Sequence, residues 1–335
     1  MYICKKTTKS LWMNTHILHA YGFDNSGKIK EFPHDEIAKE LESEKLAWVH
    51  LDNAHEHTLK WLETELDFLD PVILDALTEE STRPRIEVIG EGVLVILRGA
   101  NLNKDAAPED MISLRVWVDK ERMITIQRRQ LKAVLDFEQK LLKGQVRENA
   151  GDFLAHLIHL ITQRMEPELN LVGEMLDELE EQVLDNPSHS LSEKIVSIRK
   201  KSILFKKYLH PQQIALNELL EIENDWLDEK SYRIISENYN KTSRFIENLD
   251  AVRERAQVVR DELANALTEK LNKNMYVLSV ITAIFLPLGF LTGLLGVNVG
   301  GIPGADNADA FFYFCGILVV LVLLQVLMFV KLKWF

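Results

Sequence analysis

Residues 275–330 read MYVLSVITAIFLPLGFLTGLL (275–295), GVNVGGIPGADNADA (296–310) and FFYFCGILVVLVLLQVLMFV (311–330), and this stretch decides the fold. The first and third segments contain no Asp, Glu, Lys, Arg or His. Each has about the 20 residues that cross a hydrocarbon core of roughly 30 Å, so two transmembrane helices are predicted, with a short loop between them. Lys270 and Lys273 flank the first span, Lys331 and Lys333 follow the second, and the loop has no basic residue. The positive-inside rule then places both flanks in the cytoplasm and turns the loop outward.

Moving outward, the preceding 270 residues carry most of the charge of a chain whose net formal charge is -12. The start, Met1-Tyr-Ile-Cys-Lys-Lys, lacks the apolar run and cleavage site of a signal peptide, which predicts that this part stays cytoplasmic. An acidic balance excludes nucleic acid as a partner, because phosphate binding draws on clusters of Lys and Arg. Cys4 and Cys315 are the only cysteines, so neither a disulfide framework nor a multi-Cys zinc site is expected.

Within residues 1–150, short β-rich runs at Leu46–Leu51, Ile86–Ile89, Val93–Leu97, Leu114–Val118 and Met123–Gln127 are separated by polar or Gly-containing breaks. Helical spacing marks Asp35–Leu41, Glu56–Leu66 and Pro71–Leu77, the last with Asp70 as N-cap and Pro71 at the first helical position. The fold class is therefore an α+β domain, a mixed sheet with helices. Residues 151–274 read as a helical hairpin, broken at Asp185-Asn-Pro-Ser-His, and then a long stalk helix from near Asp228 into the first span. Uninterrupted from Ser231 to Leu295, that helix measures about 100 Å. Its stripe of Ile246, Leu249, Val252, Val259, Leu263 and Leu267 fits an intramolecular coiled coil as well as a contact between subunits. Oligomerisation follows from a different argument: two spans per chain cannot enclose a polar path, so conduction needs several copies around an axis. Residues 296–310 form the outward loop, 311–330 the second span and 331–335 a basic cytoplasmic tail.

The loop Gly296-Val297-Asn298, placed after a long helix and between two C-terminal spans, resembles the Gly-Met-Asn signature of the CorA family of divalent-cation transporters. Val297 stands in place of Met and Leu295 in place of an aromatic residue, and a Gly-Gly-Ile-Pro-Gly run follows. These departures look like the ZntB branch, the bacterial zinc transporters. The resemblance implies a funnel-shaped homopentamer in the inner membrane, with the first span lining the pore and the second facing lipid. It implies zinc transport, by proton-coupled uptake or by efflux, with cobalt, nickel, cadmium and magnesium as further cargo and no cofactor. The partners are then other copies of the chain, the bilayer, divalent cations and protons.

Carried onto this sequence, the resemblance assigns Gly296, Val297 and Asn298 to the pore mouth, with a ring of Asn298 amides facing hydrated cations. Gly296 is expected to turn the backbone with positive φ. Asp306 and Asp309 are placed to concentrate dications at the mouth. Asn272, Met275, Ser279, Thr282 and Leu286 recur at three- and four-residue spacing and share one helical face. The resemblance makes that face the pore lining, with Met275 and Leu286 as apolar constrictions able to gate by dewetting. Pro287 cannot donate to the carbonyl of Ala283, which leaves an acceptor for pore water or a local kink. The first span offers none of the His, Cys or carboxylate ligands that bare zinc prefers, so the ion is expected to pass hydrated. Neither span holds an intramembrane proton relay, which leaves Asp306, Asp309 and the histidines as titrating groups.

His16 with His19 and His156 with His159 lie at helical spacing, and His50, His55 and His57 cluster in sequence. Packing or surface roles are the first reading of these residues, with His156, His159, Glu174 and Asp177 as weak metal candidates. No Walker A, Gly-x-Ser-x-Gly or His-Glu-x-x-His motif occurs, so an enzyme is not expected. A membrane-tethered sensor is the rival from another class, but an anchor has no use for a first span flecked with Ser, Thr and Gly.

Overall fold

The computed structural model describes residues 16–24, 27–79, 83–147, 149–297, 307 and 309–331. The chain divides into two compact units, Met1–Arg260 and Asp261–Phe335.

The first unit is built on a seven-stranded sheet of order β2-β1-β3-β7-β6-β5-β4. Its strands are β1 (Ile17–Phe23), β2 (Ile29–Glu31), β3 (Ala47–Asp52), β4 (Arg85–Ile89), β5 (Gly92–Gly99), β6 (Ile112–Val118) and β7 (Arg122–Gln127). Among the described strands only β3 and β7 run parallel, and every other pair is antiparallel. Alternation along β3 sorts the side chains to two faces. Val49 and Leu51 join one core with Ile37 and Leu41 of α1 (Ile37–Glu42), Leu62 of α2 (Thr58–Glu65) and Ile73 and Leu77 of α3 (Pro71–Thr78). Trp48, between Ala47 and Val49, meets Phe137 of α4 (Lys132–Leu142) edge-on at 4.8 Å. Phe137 in turn meets Phe153 of α5 (Ala150–Asp185). The expected cap of α3 is present, with the Asp70 carboxylate accepting from the Val72 N–H at 2.9 Å.

Two strands and one helix add to the elements expected from sequence. β1 and β2 are among them, and β1 corrects the reading of His16 and His19 as a helical pair. β1 is a strand with a register shift between Ile17 and His19. His19 stacks on His50 and pairs with Glu138 at 2.9 Å, while His16 lies elsewhere.

His50 is fully buried against Thr125. The Thr125 hydroxyl donates to the Val49 carbonyl, so its oxygen accepts from Trp48 Nε1 at 2.9 Å and from His50 Nδ1 at 2.8 Å. Burial, and then the neighbouring His19, push the His50 pKa down to about 3. The unfolded chain takes up this proton near pH 6.5 and the folded one only near 3. The stabilisation is therefore complete above 6.5 and is lost as pH falls toward 3. Between pH 7 and 5 the wild type is expected to lose about 2 kcal/mol more than His50→Asn, which does not titrate. Urea unfolding at both pH values checks this; equal losses would assign the acid sensitivity to other groups.

α5 ends at Asp185 and α6 (Ser190–Glu221) begins after the anticipated break. The start of α5 is fixed by a buried carboxylate. Asp152, wholly inaccessible, accepts from the Arg147 N–H and from the Arg147 guanidinium, both at 2.9 Å, and Arg147 also reaches Asp228 at 2.9 Å. Asp228 caps α7 (Glu229–Leu295), a single helix of 67 residues, by accepting from the Ser231 N–H. Ile246, Leu249, Val252 and Val259 of its stripe are buried within the one chain, so these positions serve intramolecular packing. Arg255 on Asp177 ties α7 to α5, and Lys206 on Asp250 ties it to α6.

The second unit contains the membrane end of α7 and α8 (Ala310–Lys331). Both helices are long and apolar enough to cross a membrane.

Candidate pore-lining helix and mouth

Ser279 and Thr282 are hydroxyl residues that bond carbonyls of their own helix. Ser279 Oγ donates to Met275 O and Thr282 Oγ1 to Leu278 O, both at 2.8 Å. A hydroxyl has one proton and two lone pairs, so with the proton spent inside the helix it presents acceptors outward. Thr292 does the same toward Leu288 O at 2.9 Å.

At about 100° per residue, Asn272, Met275, Ser279, Thr282 and Leu286 fall within an arc of roughly 80°. All five are exposed in the single chain, Met275 at 65% and Leu286 at 70%. Ser279, Thr282 and Leu286 line one open groove together with Leu278, Ala283 and Pro287. Better covered positions, Val280, Ala283, Ile284, Pro287, Leu288 and Leu291, lie about 130° around the helix.

That covered side meets α8 through a contact the sequence reading did not assign. The Ala283 carbonyl, deprived of its donor by Pro287, accepts from Gln325 Nε2 at 3.4 Å. The acceptor expected to be left for water or a kink is therefore taken by the second helix. An isolated amide in an otherwise apolar span, facing a span with a proline, was the signal available in the sequence.

At the mouth, the expected positive φ of Gly296 is not found. Among the described glycines it occurs at Gly27, Gly90 and Gly144. Gly296 instead prolongs the helix, its N–H donating to Thr292 O at 2.9 Å. Glycine is needed because a Cβ would sit 2.8 Å from that same carbonyl oxygen. Val297 is half exposed. Asn298 and Asp306 lie outside the described residues. Asp309 is exposed immediately before α8, its N–H donating to Asn307 Oδ1 at 3.0 Å, where a carboxylate also faces the positive end of the helix dipole.

The weak metal candidates do not converge. His156 Nδ1 bonds the Asp152 carbonyl at 2.9 Å, and burial lowers the pKa of His159. Glu174, some 15 residues along the same helix and so about 22 Å from His159, shares a groove with Asp177, which is paired to Arg255. Among the described residues no three His, Cys, Asp or Glu side chains already surround a common point. The sequence cluster of His50, His55 and His57 is also divided. His50 is buried with Thr125, while His55 and His57 lie near His16 and His34.

Residues 43–331 match the family model described as CorA-like Mg2+ transporter protein. The chain is 35% identical over 321 residues to the divalent cation transporter CmaX of Pseudomonas aeruginosa, covering 95% of this chain and 96% of that one. It is 33% identical over 311 residues to the zinc transport protein ZntB of Pectobacterium atrosepticum, covering 91% and 92%. Among solved structures, full-length CmaX aligns with a TM-score of 0.80 at 34% identity, covering 95% of this chain and 98% of that one. The CorA magnesium transporter of Methanocaldococcus jannaschii aligns with a TM-score of 0.78 over 95% and 99%, at 22% identity, a likeness of fold alone.

Proposed function

The chain belongs to the CorA family of metal-ion transporters, and from that premise we propose that it carries zinc across the bacterial cytoplasmic membrane. The path is a central pore between five copies, walled by the face of Asn272, Met275, Ser279, Thr282 and Leu286. Both termini are cytoplasmic, and uptake is coupled to protons.

The observation that carries this reading is the exposed face of α7, which is uncharged and whose hydroxyl protons are all turned inward. Outward lone pairs accept from the water shell of a cation, whereas an anion would need donors. With no carboxylate, thiol or imidazole on this face, zinc is not stripped to bare ion, so its discrimination from cobalt, nickel, cadmium and magnesium is incomplete. Mouth recognition falls to Gly296, Val297 and the Asn298 amide, with Asp306 and Asp309 raising the local dication concentration. A charge-free first span leaves Asp306, Asp309 and the histidines as the groups through which protons act.

A magnesium or broad divalent-cation channel is the second reading, favoured by the names carried by the matching family model and by CmaX. Proteoliposomes containing the purified chain separate the two. Zinc entry, followed with a zinc-sensitive dye, is expected to exceed magnesium entry and to quicken under an inward proton gradient. Zinc entry indifferent to the gradient retires the symport, and faster magnesium than zinc retires the zinc assignment. A monomer that passes neither ion removes the pore.

A further inference from the structure

We propose that His16, His34, His55 and His57 form a binding site for a divalent transition metal, zinc foremost, at one corner of the sheet. The site lies in the first unit and does not depend on which cation the pore carries.

Chain topology brings the four together. His16 stands immediately before β1, His34 between β2 and α1, and His55 and His57 between β3 and α2. β1 pairs with both β2 and β3, and Ile17 lies opposite Leu51, so the start of β1 meets the loop that leaves β3. The Asp52 N–H donates to the His16 carbonyl at 2.8 Å, which pins that junction. The His16 ring centroid is 5.6 Å from that of His34 and 5.8 Å from that of His55, and His55 is 5.3 Å from His57. Two imidazoles on one tetrahedral zinc have centroids about 5 Å apart, so the rings are within a few tenths of an ångström to an ångström of ligating separation.

His16 supplies the independent sign of a ligand. It is 8% exposed, and its Nε2 is buried without a hydrogen-bond partner among the described residues. An unpaired buried nitrogen is a cost that native structures rarely carry without a reason. Burial first, and then His34, His55 and His57, bring its pKa down to about 4, so at pH 7 the ring is neutral with a lone pair available.

Chemistry selects the metal class. Magnesium and calcium take oxygen ligands, whereas an all-imidazole set suits zinc, cobalt, nickel or copper. His34 and His57 are exposed, and the contacts that turning them would disturb are exposed ones, the His57 N–H to His55 Nδ1 bond at 3.2 Å and the His57 Nε2 approach to Glu56 Oε1 at 3.7 Å. Trp61 packs beside His16, with ring centroids 5.5 Å apart.

The test uses the full-length chain in detergent, stripped with a chelator and titrated with Zn2+ alone, or with Co2+ to read geometry from its visible bands. The wild type is expected to bind a zinc equivalent per chain that excess Mg2+ does not displace, with tetrahedral cobalt bands. The double variant His34→Gln/His57→Gln, altered only at exposed positions, is expected to bind that equivalent at least about 100-fold more weakly, beyond what outer-shell partners are worth. His16→Gln is expected to do the same. His189→Gln, an exposed histidine elsewhere, is expected to bind like the wild type. Wild-type affinity and cobalt bands in the double variant overturn the proposal, whatever His16→Gln does to folding. Transport of the same variants is measured separately, so that a failed pore assignment and a failed histidine site are told apart.

Discussion

Thr282→Lys is expected to abolish dication conduction while leaving the protein assembled in the membrane. Thr282 sits near the middle of the first span, exposed on the same arc as Ser279 and Leu286. A lysine ammonium about 5 Å from a passing dication repels it by roughly 7 kcal/mol at an effective dielectric of 20. One such barrier lowers flux by more than about 10⁴-fold, and each further copy around the axis adds to it. Thr282→Val keeps the shape and removes the outward lone pairs together with the hydroxyl's bond to Leu278 O, so a loss of a few-fold is expected. The pair of variants also tests the orientation of the helix. Were Thr282 to face lipid, lysine would cost about 2.5–3.5 kcal/mol of insertion and deplete the membrane of protein, with little effect on what each surviving assembly conducts. Uptake normalised to assembled protein distinguishes the cases, and a wild-type rate in Thr282→Lys would end the pore-lining assignment.

The parts of the fold set by local pattern were legible in the sequence. Twenty uncharged residues make a helix long and apolar enough to cross a membrane, and the Asp185-Asn-Pro-Ser-His break separates two helices. The strands β3, β5, β6 and β7 carry the Val, Ile and Leu residues that burial on both faces requires. β1 hid because its Tyr, His, Ala and Gly residues do not alternate cleanly, and the register shift after Ile17 breaks the period of two. Contacts between distant residues were illegible for a different reason. Gln325 meets Ala283 across 42 positions, and His16 meets His34 and His55 only because β1 is flanked by β2 and β3. Helical spacing suggested partners such as His19 for His16; strand pairing chose others. Gly296 shows a subtler limit. The residue type suggests a requirement for unusual backbone, whereas what excludes a side chain there is the Thr292 carbonyl.

Trp48→Ala is expected to destabilise the sheet unit by about 3–5 kcal/mol, the cost of emptying a large aromatic site in a closed core. Trp48 is 1% exposed on β3, between β1 and β7, with Phe137 edge-on at 4.8 Å. The polar part of the change is small. Thr125 loses the Trp48 Nε1 donor at 2.9 Å, but it keeps its bond to Val49 O and still accepts from His50. Nearly all of the loss is therefore cavity and contact, which Trp48→Phe should largely recover, to within about 1–2 kcal/mol, by filling most of the same space. Against the 5–15 kcal/mol typical of a folded domain, the alanine variant loses a large fraction of its margin. Because the long helices need not unfold with the sheet, amide exchange of β3 and β7 is the appropriate readout in place of a single melting temperature. A change below about 1 kcal/mol at those amides would mean that Phe137 and its neighbours collapse into the space, and that α4 and α5 are held to the sheet by other contacts.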